Sequence, residues 1–471
     1  MESLPNSIDE CHKGMRLLLE MVNSLTKRIE SLEVENRELK ERLNNNSSNS
    51  SLPPSKDFKK KKKQNNRQSS GKKSGGQVGH KGHFRELLSS DQVDFFQRCP
   101  LPAYCLCGGK IHSQNDYMRH QVYELPPLKL DVTEYQLKKG CCLDCKRHHI
   151  ASLPEGVSWG ITGVRLTSFM TDLTTKYGLS RREQKEFLAA HFNFNISLGT
   201  VFNKQKIANA ALETPVSELL EFIKKSPSIH ADETSHNRDG KTQWMWGFVS
   251  SSAAYFSIHA SRGKKVLRSM VSDFKNIIIS DRYAAYNVFD SSQRQICWAH
   301  LKRDFTKISE KDNKIIARIG KNLLESKSLL FNCWHKFKSG KISRDSLLRE
   351  TRPMRDRIGE LLEQGAYTDS TLKISRTCKN LLENFNALWT FLDIENIEPT
   401  NNHAERSLRP LVIWRKKYFC TRSDYGSDFV SRSASINVTC KLQGKSSFEF
   451  LCTAIRDYFA GRKTSALVLT G

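Results

Sequence analysis

Three short segments in the C-terminal half carry acids whose type and spacing suit phosphoryl chemistry. They are His230-Ala231-Asp232-Glu233-Thr234, Ser280-Asp281-Arg282-Tyr283-Ala284-Ala285-Tyr286, and Asn401-Asn402-His403-Ala404-Glu405-Arg406-Ser407-Leu408-Arg409-Pro410. Each places one carboxylate at an element boundary of a strongly basic chain, the arrangement that holds divalent metal against a phosphodiester. Asp232 would bridge two Mg²⁺ ions, with Asp281 and Glu405 each completing one site. Water as nucleophile would then nick DNA, and a 3′-hydroxyl would join it to a new target. Arg406, Arg409, Arg415, Lys416 and Lys417 would face the phosphate backbone. Glu405 also has a plainer reading, because a glutamate three residues after a capping Asn402 forms a capping box. That alternative hardly applies to Asp281, which closes an apolar strand.

The elements that must position these acids follow from periodicity. Ser228 to Ala231 reads as a strand ending in Asp232. After an Asp239-Gly240 turn, Thr242 to Ser250 alternates as its partner, and Tyr255 to Ala260 is a third strand. Val266 to Phe274 reads as a helix, Asn276 to Ser280 as a buried strand ending at Asp281, and Gln295 to Trp298 as a further strand. The order is three strands, helix, strand, helix, strand, a mixed α/β sheet that matches a ribonuclease H-like core. Residues Lys314 to Phe391 repeat apolar positions at helical spacing, with Ile316, Ile319, Leu323, Leu330 and Trp334 on one face, and form a helical insertion. Leu166 to Ala190 and Ser197 to Lys224 read as a helical connector, in which Ser197 opens either a helix like the second of a helix-turn-helix or a packing helix.

Seventy-five Lys and Arg against fifty Asp and Glu leave a net charge of +25 over 471 residues. Such a balance favours a polyanionic partner, with DNA the first choice. The start lacks a basic-then-apolar leader and no apolar run is long enough to span a membrane, so no membrane partner is expected. The expected location is the cytoplasm, associated with the nucleoid in a bacterial cell.

From Met15 to Leu43 a seven-residue repeat places Leu18, Leu25, Leu32 and Leu39 at one core position. Met15, Val22, Ile29, Asn36 and Leu43 occupy the other. This is a leucine zipper, expected to pair two copies or more, with the lone Asn36 fixing register. The alternative is a single amphipathic helix lying on the protein body. Asn44 to Ser51 ends the helix and Pro53-Pro54 prevents it resuming. Between Lys56 and Arg85 eleven Lys and Arg, among them Lys60, Lys61 and Lys62, face one Asp57 and alternate with glycines. This tract is expected to contact phosphates, or else to serve as a solvated linker. A basic-zipper transcription factor is excluded, since there the basic helix runs unbroken into the N-terminal end of the zipper.

Thirteen cysteines are thinly spread except between Cys99 and Cys145, which points to metal and not to a disulfide framework. Cys105-Leu106-Cys107 and Cys142-Leu143-Asp144-Cys145 form two knuckles able to complete a structural zinc site, with Cys99 an alternative to Cys105 and with His148 and His149 as possible substitutes. The expected organisation is therefore multidomain α+β. It comprises a coiled coil over 1–43, a basic linker over 44–90, a zinc-finger-like DNA-binding domain over 91–155 and a helical connector over 156–226. The core occupies 227–310 and 399–471, interrupted by the insertion over 311–398.

Several motifs in order carry a resemblance. They are Pro53-Pro54-Ser55, Gly75-Gly76-Gln77-Val78-Gly79-His80-Lys81-Gly82-His83, the cysteine knuckles, the two aspartate motifs, Cys297-Trp298-Ala299-His300-Leu301-Lys302-Arg303, and Asn401 to Lys416. Together they resemble the large transposase of the insertion-sequence sixty-six family of bacterial mobile elements, a DDE-type enzyme. The resemblance implies the triad Asp232, Asp281 and Glu405, a zinc-finger-like domain, and cut-and-join chemistry at terminal inverted repeats, with small helper proteins of the same element as further partners. The family's first knuckle has the form Cys-x-x-Cys-Gly, and Tyr104 stands at its first cysteine here, which puts a shifted zinc site in play. His300 and Arg303 recur with the resemblance, either to assist near the scissile phosphate or to pack under Asp281. Two other readings stand beside it: a non-catalytic DNA-binding regulator, and a nuclease that cuts without joining.

Overall fold

A computed structural model describes residues 8–50, 75–77, 79–82, 85–112, 117–368, 373–418 and 420–465. The described residues fall into two compact units, one drawn from 1–60, 133–190 and 194–471, the other from 61–132 with 191–193. The basic residues Lys60, Lys61 and Lys62 lie outside the described residues.

In the larger unit, helix α1 (Ile8–Asn44) carries the heptad pattern. Met15, Leu18, Val22, Leu25, Ile29, Leu32, Leu39 and Leu43 are all exposed along it. The asparagine-rich turn after α1 is tied down by side chains. Asn49 donates to Glu310 at 2.7 Å and Lys307 donates to Asn45 at 3.1 Å. A short hairpin, β1 (Lys139–Cys141) and β2 (His148–Ile150), precedes four connector helices, α2 (Val164–Thr175), α3 (Arg181–Phe192), α4 (Leu198–Ala211) and α5 (Glu213–Lys225). Each of the two helical runs expected here is thus split in two. Ser197 caps α4 as expected, its hydroxyl accepting from the Thr200 amide at 3.0 Å.

The central sheet contains β3 (Ser228–Arg238), β4 (Lys241–Val249), β5 (Ala254–His259), β6 (Ile277–Ser280) and β7 (Arg294–Ile296), in the order β5-β4-β3-β6-β7. The first three strands are antiparallel, while β6 pairs parallel to β3 and β7 parallel to β6. At the β3–β4 turn Asp239 and Gly240 adopt φ of 50° and 77°, the left-handed pair that a two-residue hairpin of matching twist requires. Strand β3 does not stop at Asp232. Its pairing with β4 runs on to Arg238, whereas its pairing with β6 ends at His230, and beyond β6 its far end is bridged by Thr421.

Helix α6 (Lys264–Val271) links β5 to β6. The helix expected between β6 and β7 is replaced by two 3₁₀ turns, Ala284–Val288 and Ser291–Gln293. Acidic side chains close these tight turns, Asp281 accepting from the Tyr283 amide and Asp290 from the Ser292 amide, each at 2.9 Å. After β7 come α7 (Trp298–Ser309), α8 (Lys314–Lys338), α9 (Arg344–Ala366), α10 (Lys373–Glu383) and α11 (Thr390–Asp393). They share one core with Ile279 and Ile296, built on Trp298, Leu323, Leu330, Trp334, Trp389 and Phe391. The five residues expected on one face of the insertion, from Ile316 to Trp334, are all buried.

Helices α12 (Asn402–Tyr418), α13 (Asp424–Leu442) and α14 (Ser447–Phe459) complete the other core. Helix α13 covers the outer edge of β5, where Ser435 and Thr439 accept from the Phe256 and Ala254 amides at 2.9 and 3.0 Å. These bonds satisfy groups that a bare edge would leave open. The architecture is mixed α/β, in keeping with the multidomain α+β expectation. Among the described residues no helix is long and apolar enough to cross a membrane.

Gly247 decides how closely α12 approaches the sheet. It pairs with Asp232, and a Cβ there would lie 2.8 Å from the Phe256 ring and 3.3 Å from Leu408 of α12. Gly247→Val should therefore overpack this contact and cost about 1–3 kcal/mol, read as a lowered urea midpoint. An unchanged midpoint would mean that α12 is not seated through this contact.

Candidate active site

The site is built at the C-terminal ends of two parallel strands. Ser228, Ile229 and His230 of β3 pair with Ile277, Ile278 and Ile279 of β6. Asp232 and Asp281 each lie two residues beyond the last of these pairs, and the Asp281 charge reaches the Asp232 carboxyl. One oxygen of Asp232 accepts from the Glu233 amide at 2.9 Å.

The third acid arrives on α12, and Asn401 fixes its approach. The Asn401 side chain donates to the Ala231 carbonyl at 2.7 Å and lies 3.2 Å from His230 Nδ1, while its backbone N–H donates to Cys297 Sγ at 3.1 Å. Just upstream, Pro399 accepts from the Trp298 amide at 3.0 Å. This fully buried asparagine thus joins β3, the start of α7 and the start of α12. Glu405 sits in the first turn of α12, and its Oε1 is buried with no hydrogen-bond partner. It lies 3.8 Å from His300 Nδ1, too far for a hydrogen bond. His300 Nδ1 is likewise buried without a hydrogen-bond partner.

The electrostatics show the crowding. Burial pushes the Asp232 carboxyl well above its ordinary range, and the neighbouring charges of Glu233, Asp281 and Glu405 push it in the same direction. Three acids drawn from β3, the end of β6 and α12 therefore share one field, and a cation among them would relieve it.

Glu233 points the other way from Asp232 on β3. Its carboxylate accepts from the Tyr286 hydroxyl at 2.6 Å and pairs with Arg262 at 2.5 Å. The Arg262 guanidinium lies 3.8 Å from the Tyr283 ring centroid. Burial, then Asp281, raises the Glu233 carboxyl, while Tyr286 and Arg262 counter that rise. Neither Glu233 nor this network was singled out from sequence. The available signal was the adjacent pair Asp232-Glu233 on a strand, whose alternation sends two acids to opposite faces.

The remaining predicted residues fall in several places. Arg406, Arg409 and Lys416 are exposed on α12. Arg415 is half-buried and donates to Ser235 at 2.9 Å, and burial lowers its pKa. His300 lies in the first turn of α7, against Glu405, and Arg303 is half-buried on the same helix. Arg282, next to Asp281, pairs with Asp304 of α7 at 3.1 Å and donates to Asn380 of α10 at 3.2 Å, tying the aspartate motif to the insertion.

The two knuckles are each formed locally. In the smaller unit, Tyr104 pairs with Lys110 across the Cys105–Gly109 turn, and the Gly109 amide, then Cys105, holds the Cys107 thiol below its ordinary range. In the larger unit, the turn after β1 directs the Cys145 and Asp144 amides at Cys142, lowering that thiol too. Cys99, Cys105, Cys107 and Cys145 are exposed and Cys142 is half-buried. His148 and His149 are exposed on β2.

The pattern of the family described as "Transposase IS66 family" matches residues 160–428, and that of a family of unknown function matches residues 3–86. Three proteins of Sinorhizobium fredii (strain NBRC 101917 / NGR234) are similar, each described as uncharacterized. The protein y4qI is 24% identical over 264 residues, covering 50% of this chain and 48% of y4qI. The protein y4hP is 22% identical over 381 residues, covering 72% of this chain and 68% of y4hP. The protein y4jD is 23% identical over 276 residues, covering 52% and 53% respectively. The chain thus spans about half the length of y4qI and y4jD.

Two histidines near the site carry a pH signature. Burial, then His403, pushes His230 down to about 4, and burial, then Arg415 and Arg238, pushes His236 down to about 4. An unfolded histidine titrates near 6.5, so below that pH the unfolded chain binds protons that the folded chain refuses. Stability is therefore lost as pH falls from about 6.5 towards 4. Asp232, raised on folding, acts in the opposite direction. His236 bonds Thr421 at 3.0 Å, and His236→Gln should remove on the order of 2 kcal/mol of the stability difference between pH 7 and pH 5. Equal pH dependence in wild type and variant, measured by urea unfolding, would contradict the assignment.

Proposed function

Since the match over residues 160–428 takes in more than half of its length, the chain belongs to the IS66 family of transposases, and on that premise we propose that it is a DDE-type transposase. In this reading it binds the terminal inverted repeats of an insertion sequence and catalyses metal-dependent DNA strand cleavage and strand transfer. The observation that best supports the reading is that Asp281 and Glu405, carried on two other elements, both act on the buried Asp232 carboxyl and help to raise it. The sheet order, three antiparallel strands followed by two parallel ones, supports a ribonuclease H-like core split by the helical insertion.

The donor set fits the divalent metal that this chemistry needs: all three ligands are hard carboxylates, and the buried Oε1 of Glu405 has no hydrogen-bond partner. Asp232, Asp281 and Glu405 would hold two Mg²⁺ ions, which when bound supply charge stabilisation to the attacking and leaving oxygens. The protein's own part is positional. Asn401 holds α12 against β3, Glu233 with Arg262 and Tyr286 anchors the strand from behind Asp232, and Arg282 fixes the loop after Asp281. Arg406, next to Glu405, and Arg409, one turn beyond it, would present cations to the DNA backbone, with Arg415 and Lys416 further along α12 adding to them. Lys60, Lys61 and Lys62 add a tract for phosphate contact.

Two further assignments complete the reading. Each knuckle, Cys105 with Cys107 and Cys142 with Cys145, offers thiolates to structural zinc, supported by the amide groups that its own turn directs at a sulfur. The exposed heptad face over residues 15–43 pairs two copies of the chain as a coiled coil.

The test is Mg²⁺-dependent cleavage and joining of DNA that carries the element's inverted repeats, comparing wild type with Glu405→Gln. The variant should bind this DNA about as well yet lose at least ~10²-fold in both reactions. Equal cleavage by both proteins would remove Glu405 from the triad and sink the proposal. Cleavage by wild type with no joining would favour a nuclease.

A further inference from the structure

A second donor set meets the carboxylate cluster at Glu405. Among the described residues, Cys297, His300 and Glu405 form a group whose ligand atoms all lie within 4.8 Å of one another. Cys297 is the N-cap of α7 and His300 lies in its first turn, so the Cys-x-x-His spacing turns both side chains to one end of the helix. Glu405 comes to them from the first turn of α12. Two of the three donors, His300 Nδ1 and Glu405 Oε1, are buried without a hydrogen-bond partner. Leaving two such atoms unpaired costs free energy that a shared cation would remove.

The third donor is prepared in a different way. Cys297 Sγ accepts from the Asn401 amide, and the amides of His300 and Ala299 also face it. Converging N–H groups suit a sulfur that carries negative charge. Desolvation nonetheless raises the free thiol to about 11, so at neutral pH it stays protonated unless a metal displaces the proton.

From this geometry we infer that Cys297, His300 and Glu405 form a site for one divalent cation of the zinc class, separate in chemistry from the carboxylate centre beside it. Ligand atoms around a tetrahedral zinc-class ion stand roughly 3.3–3.6 Å apart. The His300–Glu405 separation of 3.8 Å therefore needs to close by only a few tenths of an ångström. A sulfur and an imidazole select zinc or cobalt over magnesium, which prefers oxygen alone. Three protein ligands leave a fourth position for water or a phosphate oxygen. The ion would clamp the start of α7 to the start of α12, and so fix the carboxylate of Glu405. The inference goes beyond the strand chemistry proposed above and does not require it.

The test uses the full chain, stripped with chelator and then loaded with Zn²⁺ for elemental analysis or with Co²⁺ for spectroscopy. The variants are Cys297→Ser, His300→Gln, Asp232→Asn and Cys142→Ser. Cys297→Ser and His300→Gln should each hold about one equivalent of zinc less than wild type. They should also lose a cobalt spectrum, including a thiolate charge-transfer band for Cys297, that Cys142→Ser and Asp232→Asn retain. Cys297 is buried, so near-ultraviolet circular dichroism must show a folded variant. His300 is partly exposed, and its variant gives the same answer if Cys297→Ser fails to fold. Wild-type zinc content and spectra in folded His300→Gln would overturn the inference and leave His300 and Glu405 as a simple ion pair. Strand cleavage is scored separately, so a wild type that binds this zinc but never cuts DNA would refute the transposase reading and not this one.

Discussion

A desolvated carboxylate at Asp232, with the charges of three other acids acting on it, is the constraint on which the surrounding structure depends. Burial raises the Asp232 carboxyl, and the charges of Glu233, Asp281 and Glu405 raise it further. Folding tolerates such a carboxylate because the surrounding packing is large and rigid. Parallel pairing of β3 with β6 ends two residues short of each aspartate, and a core of tryptophan and phenylalanine lies beneath β6 and β7. The raised carboxyl is a cost that the packing around it must offset.

Much of that rigidity passes through neutral or compensated groups. Asn401 satisfies a β3 carbonyl, approaches the His230 ring and donates to Cys297 without adding charge. Glu233 brings a fourth acid close to the cluster, but its charge is answered by Arg262 and the Tyr286 hydroxyl. The opposite treatment of neighbouring acids is instructive. Glu233 is given a cation and a donor, whereas Glu405 is left with a bare oxygen.

The N-terminal part follows a different logic. The apolar stripe of α1 faces solvent along its length, so the helix gains nothing from the core of its own chain through those leucines. Just past its end, Asn45 and Asn49 are fastened to Lys307 and Glu310. Combined with a net charge of +25, this gives a catalytic body attached to elements suited to a second copy of the chain and to polyanions.

The sequence by itself determined most of the elements. Alternating and apolar runs mark β3 to β7, helical spacing marks the insertion, and Asp239-Gly240 marks its hairpin, because these signals depend on residues a few positions apart. Even there, the end of β3 and the 3₁₀ turns after Asp281 escaped, since they are set by where a partner strand stops and by local carboxylate caps. Only the tertiary structure decided the partners. Glu233 meets Tyr286, Asn401 meets His230, and Glu405 meets His300 and stands near Cys297. Each meeting joins residues far apart in the chain, and no local pattern encodes a distance that only the packing of α7 and α12 against the sheet creates.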